Sequence, residues 1–294
     1  MRGVVGLLAG VGKENFKLTM FRTLCHLAAP IIAFAFSPVA HADESTHRIE
    51  VGTKKLPMEG ESILFDGHEA FVIAPETAAK GKPWVWYAPT LPRLPGSAEN
   101  WLFERFLKAG VAIAGVDVGE SYGSPEGRKI FEEFRVYLVS ERGFAEKPCL
   151  LARSRGGLML YSWATEHPEK VAGVAGIYPV CNIASYPGVA KAAGAYGLSP
   201  EALEAELAKH NPIDRLEPLA KAKVPILHLH GDKDRTVPLE ANSGELAKRY
   251  RALGGPIELE VVKEGGHDMW KGWFQSEKMA AFVIERAKAG VGEE

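Results

Sequence analysis

The chain has only three cysteines in 294 residues, so a dense disulfide framework cannot be what holds it together. It has no run of like charges and no internal repeat, and its formal charge is only -2. A nucleic-acid binder usually carries a basic excess, so that class is disfavoured. There is no His-Glu-x-x-His pattern and no glycine-rich loop ending in Lys-Ser/Thr. A helical zinc site and ATP use therefore have no support. With 46% apolar and 24% charged residues, the composition is that of a soluble globular protein.

The amino terminus reads as an export signal. Met20-Phe21-Arg22 supplies a short positive start, residues 24–36 are mostly apolar, and Ser37-Pro38-Val39-Ala40-His41-Ala42 ends in a small-x-small cleavage pattern. Cleavage after Ala42 removes residues 1–42 as a signal peptide, and translation from Met20 would give a more ordinary signal length. The apolar stretch is too short for a good membrane span; an uncleaved anchor is the competing reading. The expected location is secreted or periplasmic. Cys25 leaves with the signal. Cys149 and Cys181 fall at opposite ends of successive strands, which suits free buried thiols better than a bridge.

From residue 43 onward the pattern is one α/β domain. Two hairpin-like pieces, near 47–53 and 62–74, come first. Short apolar runs follow at 84–88, 111–118, 149–152, 171–180, 224–230 and 257–262. Helical spacing separates them at 101–107, 128–138, 158–166 and 242–253, and 279–288 closes the chain. Unbroken apolar runs are strands covered on both faces. Alternated with helices, they predict a mostly parallel central sheet with right-handed crossovers. Residues 182–223 break the rhythm with a Gly/Ala/Pro-rich stretch and a helical run at 200–209, read as a small helical insertion over the site, a partial lid.

Three loops at the carboxyl ends of these strands carry chemistry. In Ala152-Arg153-Ser154-Arg155-Gly156-Gly157 an apolar strand runs into Ser, two glycines and a helix. A nucleophilic serine needs such a tight turn, with small residues two positions either side. Helix capping by Ser154 is the bland alternative. In Gly231-Asp232-Lys233-Asp234-Arg235-Thr236-Val237-Pro238 an acid follows the strand's terminal glycine by three residues, and Asp234 is preferred over Asp232, which closes the turn. In Gly265-Gly266-His267 two glycines present a histidine before the last helix. A lone loop histidine is ordinarily decoration. The order Ser, Asp, His, each after a successive strand, makes Ser154, Asp234 and His267 the candidate catalytic triad. His228 and His230 alternate onto one face of a strand inside the sheet and are read as core, so no metal is expected.

Residues 82–287 resemble the α/β-hydrolase superfamily, in the style of the prolyl-oligopeptidase and dienelactone-hydrolase-like branches and the secreted bacterial esterases near them. The resemblance rests on the elbow at 152–157, the 231–238 loop and Gly266-His267. It implies the α/β-hydrolase fold, the triad roles and no cofactor, but no substrate. Ala152 departs from the glycine usual at its position. Many relatives carry a His-Gly pair after the strand at 84–88, where this chain has Pro89-Thr90-Leu91-Pro92. The oxyanion donors are then the N–H of Arg155 with that of Thr90 or Leu91, because proline has no N–H.

Glu120, Tyr122 and Trp270 are candidate substrate-binding residues. Pairing of Glu120 with Arg153 or Arg155 is the structural alternative, and packing of the last helix the alternative for Trp270. An arginine beside the nucleophile could instead hold a substrate carboxylate. The expected function is a serine hydrolase cleaving a carboxylic ester through an acyl-enzyme, with sugar-linked and aromatic esters among the candidate substrates. The expected partner is a small-molecule ester, with no nucleic acid and no stable membrane span once the signal is removed. A prolyl-oligopeptidase-type peptidase and a non-catalytic binding protein of the same fold remain the alternatives.

Overall fold

A computed structural model describes residues 47–292. The expected signal segment lies outside the described residues. Nine strands form one sheet: β1 (Ile49–Val51), β2 (Glu61–Phe65), β3 (His68–Ile73), β4 (Trp84–Ala88), β5 (Ala112–Val116), β6 (Cys149–Arg153), β7 (Gly173–Ile177), β8 (Ile226–Gly231) and β9 (Ile257–Val262). Their order is β1-β2-β3-β5-β4-β6-β7-β8-β9. The first three strands and the β3–β5 pair are antiparallel; every pairing from β5 to β9 is parallel. The expected mostly parallel α/β sheet is what the chain forms.

The two hairpin-like pieces are one three-stranded meander. Its tight turn is Asp66-Gly67, with φ of 46° and 86°. An Asp-Gly pair suits a turn that needs positive φ at both central residues, and its twist matches the flanking strands. Strand β9 departs from the expected buried run: it is the sheet edge, and Val261 is half exposed. Glu258 and Glu260 lie on one face of it, where Lys278 bridges them. Its sequence alternates, as a one-sided strand should.

The helices are α1 (Asn100–Lys108), α2 (Pro125–Ser140), α3 (Gly156–Ala164), α4 (Val189–Ala192), α5 (Pro200–Ala205), α6 (Leu207–His210), α7 (Glu217–Lys221), α8 (Ser243–Ala252), α9 (Lys271–Phe274) and α10 (Glu277–Ala289). The single helical run read at 200–209 is split into α5 and α6 at Glu206. Alternate strand residues feed two cores. Trp84, Trp86 and Leu150 pack with α2, α3 and α8 on one face; Val85, Tyr87 and Leu151 pack with α1 and α10 on the other. Burying one such large side chain is worth about 1.5–3 kcal/mol.

Strand β4 sits between β5 and β6. The chain therefore leaves β4 for one side and later returns on the other. Such a reversal opens a crevice at the carboxyl ends of the strands, where open α/β sheets bind ligands.

Candidate active site

Ser154 directly follows β6 with φ of 49°, the left-handed region that costs a residue with a Cβ about 1 kcal/mol or more. The surroundings enforce it. Its N–H donates to Ile177 O at 3.0 Å, and its carbonyl accepts from Gly157 N at 2.9 Å and Val180 N at 2.8 Å. Both glycines are needed for close approach. A Cβ on Gly156 would stand 2.3 Å from Ala88 O, and one on Gly157 2.2 Å from Val180 O. Ala152 is fully buried and pairs across the sheet with Ala88 and Gly176. Small neighbours on both sides leave room for its methyl group.

The turn brings Ser154 Oγ to 2.9 Å from His267 Nε2. His267 Nδ1 lies 2.7 Å from Asp234 Oδ2. An ionised carboxylate only accepts, so Nδ1 carries the proton and Nε2 is left to accept from the serine hydroxyl. Asp234 is 5% exposed. Its other oxygen accepts from Thr236 N at 2.9 Å and Val237 N at 2.8 Å. Burial alone would raise this carboxyl, but hydrogen bonding from His230, His267 and the Val237 N–H holds it well below the ordinary carboxylate range. Asp232 instead accepts from Glu264 N at 2.7 Å and ties the two loops together.

A cavity of about 730 Å³ opens over Ser154. Leu91, Glu120, Arg153, Arg155 and Tyr178 are among its walls, and so are Arg93, Asp268 and Met269. The N–H groups of Leu91 and Arg155 donate to no other described residue. Thr90, the other loop candidate, does not line the cavity: it is buried, and its hydroxyl donates to Val116 O.

Glu120 lines the cavity but is paired with Arg155. Arg153 turns to Glu99 instead, with Nη1 2.6 Å from Oε1, and its guanidinium lies over the Phe274 ring. Two expected contacts are not brought to the cavity. Tyr122 is buried with Leu158, Val180 and Ile183, because the 182–223 segment packs its apolar residues there. Trp270 stands 54% exposed, edge-on to Trp273. None of the residues lining the cavity comes from 182–223.

Tyr178 was not singled out by the sequence. It follows β7, its ring centroid is 4.3 Å from that of His267, and its hydroxyl donates to Asp268 O at 3.2 Å. Burial pushes its phenol up to about 12, against the pull of Arg153, so it stays neutral. Its place near the carboxyl end of the 171–180 apolar run was the available signal. His228 and His230 are buried, and Ser243 Oγ bridges their Nδ1 atoms at 2.9 and 2.8 Å. The other nitrogens reach Tyr161 and Val237 O. Cys149 and Cys181 are buried free thiols.

Residues 133–287 match the model of the prolyl oligopeptidase family. An acylamino-acid-releasing enzyme of Arabidopsis thaliana is 26% identical over 140 residues, 44% of this chain and 18% of that protein. The chain thus spans under a fifth of that curated relative's length. A structure from Bacteroides ovatus, described as a dipeptidyl aminopeptidase IV, superposes with a TM-score of 0.62 at 18% identity, covering 82% of this chain and 36% of that one. An S-formylglutathione hydrolase from Agrobacterium tumefaciens gives 0.63 at 14% identity, covering 81% and 98%. At these identities the two structures speak for the fold alone.

Proposed function

The chain belongs to the prolyl oligopeptidase family, and on that premise we propose that this serine hydrolase cleaves a carboxylic ester through an acyl-enzyme on Ser154. The observation that carries the reading is the unbroken hydrogen-bonded series from Ser154 Oγ through His267 to Asp234, at 2.9 and 2.7 Å. His267 takes the hydroxyl proton as Ser154 attacks the carbonyl, then returns it to the leaving alcohol. Asp234 holds the imidazole in the required tautomer and stabilises its charged form. The N–H groups of Arg155 and Leu91 receive the developing oxyanion. Water then attacks the acyl-enzyme by the same route, releasing the acid.

An ester is favoured by the state of the cavity's acids. Glu120 is engaged by Arg155, and Asp268 accepts from Trp270 N and Trp273 Nε1. Both acids already carry partners, which weakens their claim on a peptide's amino terminus. The family match favours the second reading, a peptidase. Release of p-nitrophenol from acyl esters, against p-nitroaniline from short peptide anilides, decides between them. A fluorophosphonate that labels wild type but not Ser154→Ala supports either enzyme; a folded wild type that resists labelling leaves only a binding protein. The export signal at 1–42, with a secreted or periplasmic location, belongs to the same proposal.

A further inference from the structure

Lys54 lies between β1 and β2, outside the stretch matched by the family, and its side chain is 1% exposed. Burying an ammonium costs several kcal/mol unless partners compensate. Burial does pull its pKa down, with Asp117 and Glu69 pushing the other way. The partners are unusual. Nζ donates to Leu91 O at 2.9 Å and to Thr90 O at 3.3 Å, with Asp117 Oδ2 at 3.9 Å. These two carbonyls belong to the loop after β4. The lysine is itself anchored: its backbone N–H donates to Ser62 Oγ at 2.9 Å and Glu69 Oε2 at 3.1 Å.

The Thr90 carbonyl and the Leu91 N–H share one peptide plane. That peptide is trans, because the cis bonds lie elsewhere, so the two groups point in opposite directions. A cation on the carbonyl side turns the N–H away from itself. Leu91 lines the Ser154 cavity, and its N–H donates to no other described residue. A cation at the carbonyl oxygen also draws electron density from the amide and strengthens its N–H as a donor. Pro89 and Pro92 flank the pair and have no N–H to offer.

We propose that Lys54 is the positioning residue of the oxyanion site: by gripping the Thr90 and Leu91 carbonyls it holds the Leu91 N–H facing the cavity and polarises it. The loop Pro89-Thr90-Leu91-Pro92 has few N–H groups of its own to hold it, and a side chain from the antiparallel side of the sheet fixes it. This rests on Leu91 being the second oxyanion donor, as proposed above.

The test is Lys54→Met on p-nitrophenyl acetate, with active sites counted by end-point fluorophosphonate labelling and folding checked by circular dichroism. The expected result is a kcat about 10-fold to 100-fold lower per labelled site, at nearly unchanged KM. An alkyl trifluoromethyl ketone, which adds Ser154 Oγ to its carbonyl and places the resulting oxyanion in the hole, should lose affinity by a similar factor. The corresponding alcohol, which forms no such adduct, should not. Lys54→Gln keeps a buried donor without the charge and covers failure of the Met variant to fold; it should show a smaller loss of the same kind. A wild-type kcat in either folded variant, or a loss carried by KM alone, overturns the proposal. Wild type that labels and turns over while the Lys54 variants are unaffected sinks this inference only; wild type that does neither sinks the hydrolase reading with it.

Discussion

Gly156 starts α3 so close to Ala88 that a methyl group on it would stand 2.3 Å from the Ala88 carbonyl oxygen. The contact ties the nucleophile turn to the strand that leads into the oxyanion loop. Gly156→Ala must push these elements apart. The expected outcome is a fall of at least 10-fold in kcat with a lower melting temperature, since small displacements of aligned groups are costly. Unchanged turnover and melting would show that the contact is not restrictive.

Asp234→Asn tests the imidazole's tautomer. The amide can still fill the site, but its nitrogen, facing Nδ1, would donate rather than accept. In the serine-protease triad the equivalent change costs about 10⁴-fold in kcat, and a loss of that order is expected here on p-nitrophenyl esters. A loss below tenfold in folded protein would remove Asp234 from the mechanism.

In the proposed mechanism Arg155 offers its backbone N–H and not its side chain. The guanidinium is occupied by Glu120 at a partly exposed site, where an ion pair is worth about 0–1 kcal/mol. Arg155→Ala should therefore keep kcat within about threefold and melt nearly as wild type. If activity falls on acidic esters but not on neutral ones, the side chain is binding a substrate carboxylate after all.

Glu132 provides a pH test remote from the cavity. Burial alone would raise its carboxyl, but Arg135 and Lys170, at 2.9 and 2.6 Å, bring it down to about 2. The folded value lies below the unfolded one of about 4.3, so the group stabilises the fold above that pH. That contribution fades as pH falls towards 2. Glu132→Gln should cost about 2 kcal/mol at pH 7 and progressively less below pH 4. Unfolding curves that stay equally separated at both pH values would refute the linkage.

The sequence announces the triad because its three turns are marked by small residues: Gly156 and Gly157, Gly231, and Gly265 with Gly266. The parallel strands could be read from unbroken apolar runs, but their spatial order, with β4 between β5 and β6, could not. The run at 257–262 reads as a buried strand, yet β9 is the sheet edge, as the alternation of Glu258 and Glu260 along it signals. Tyr122 follows a strand end as an active-site residue would, yet the packing of 182–223 claims it for the core. Arg153 and Arg155 look equivalent along the chain; only the three-dimensional positions of Glu99 and Glu120 assign each its partner. Lys54 gave no local signal, since a buried ammonium is recognisable only once its distant acceptors are in place.

The convergence of positions 154, 234 and 267 also sets an order in time. Ribosomes lay down the hydroxyl first and the imidazole last, so a nascent polypeptide interrupted ahead of residue 267 holds its nucleophile without the base that would awaken it. On the proposed mechanism, a chain that stops ahead of residue 267 would therefore have no hydrolytic activity.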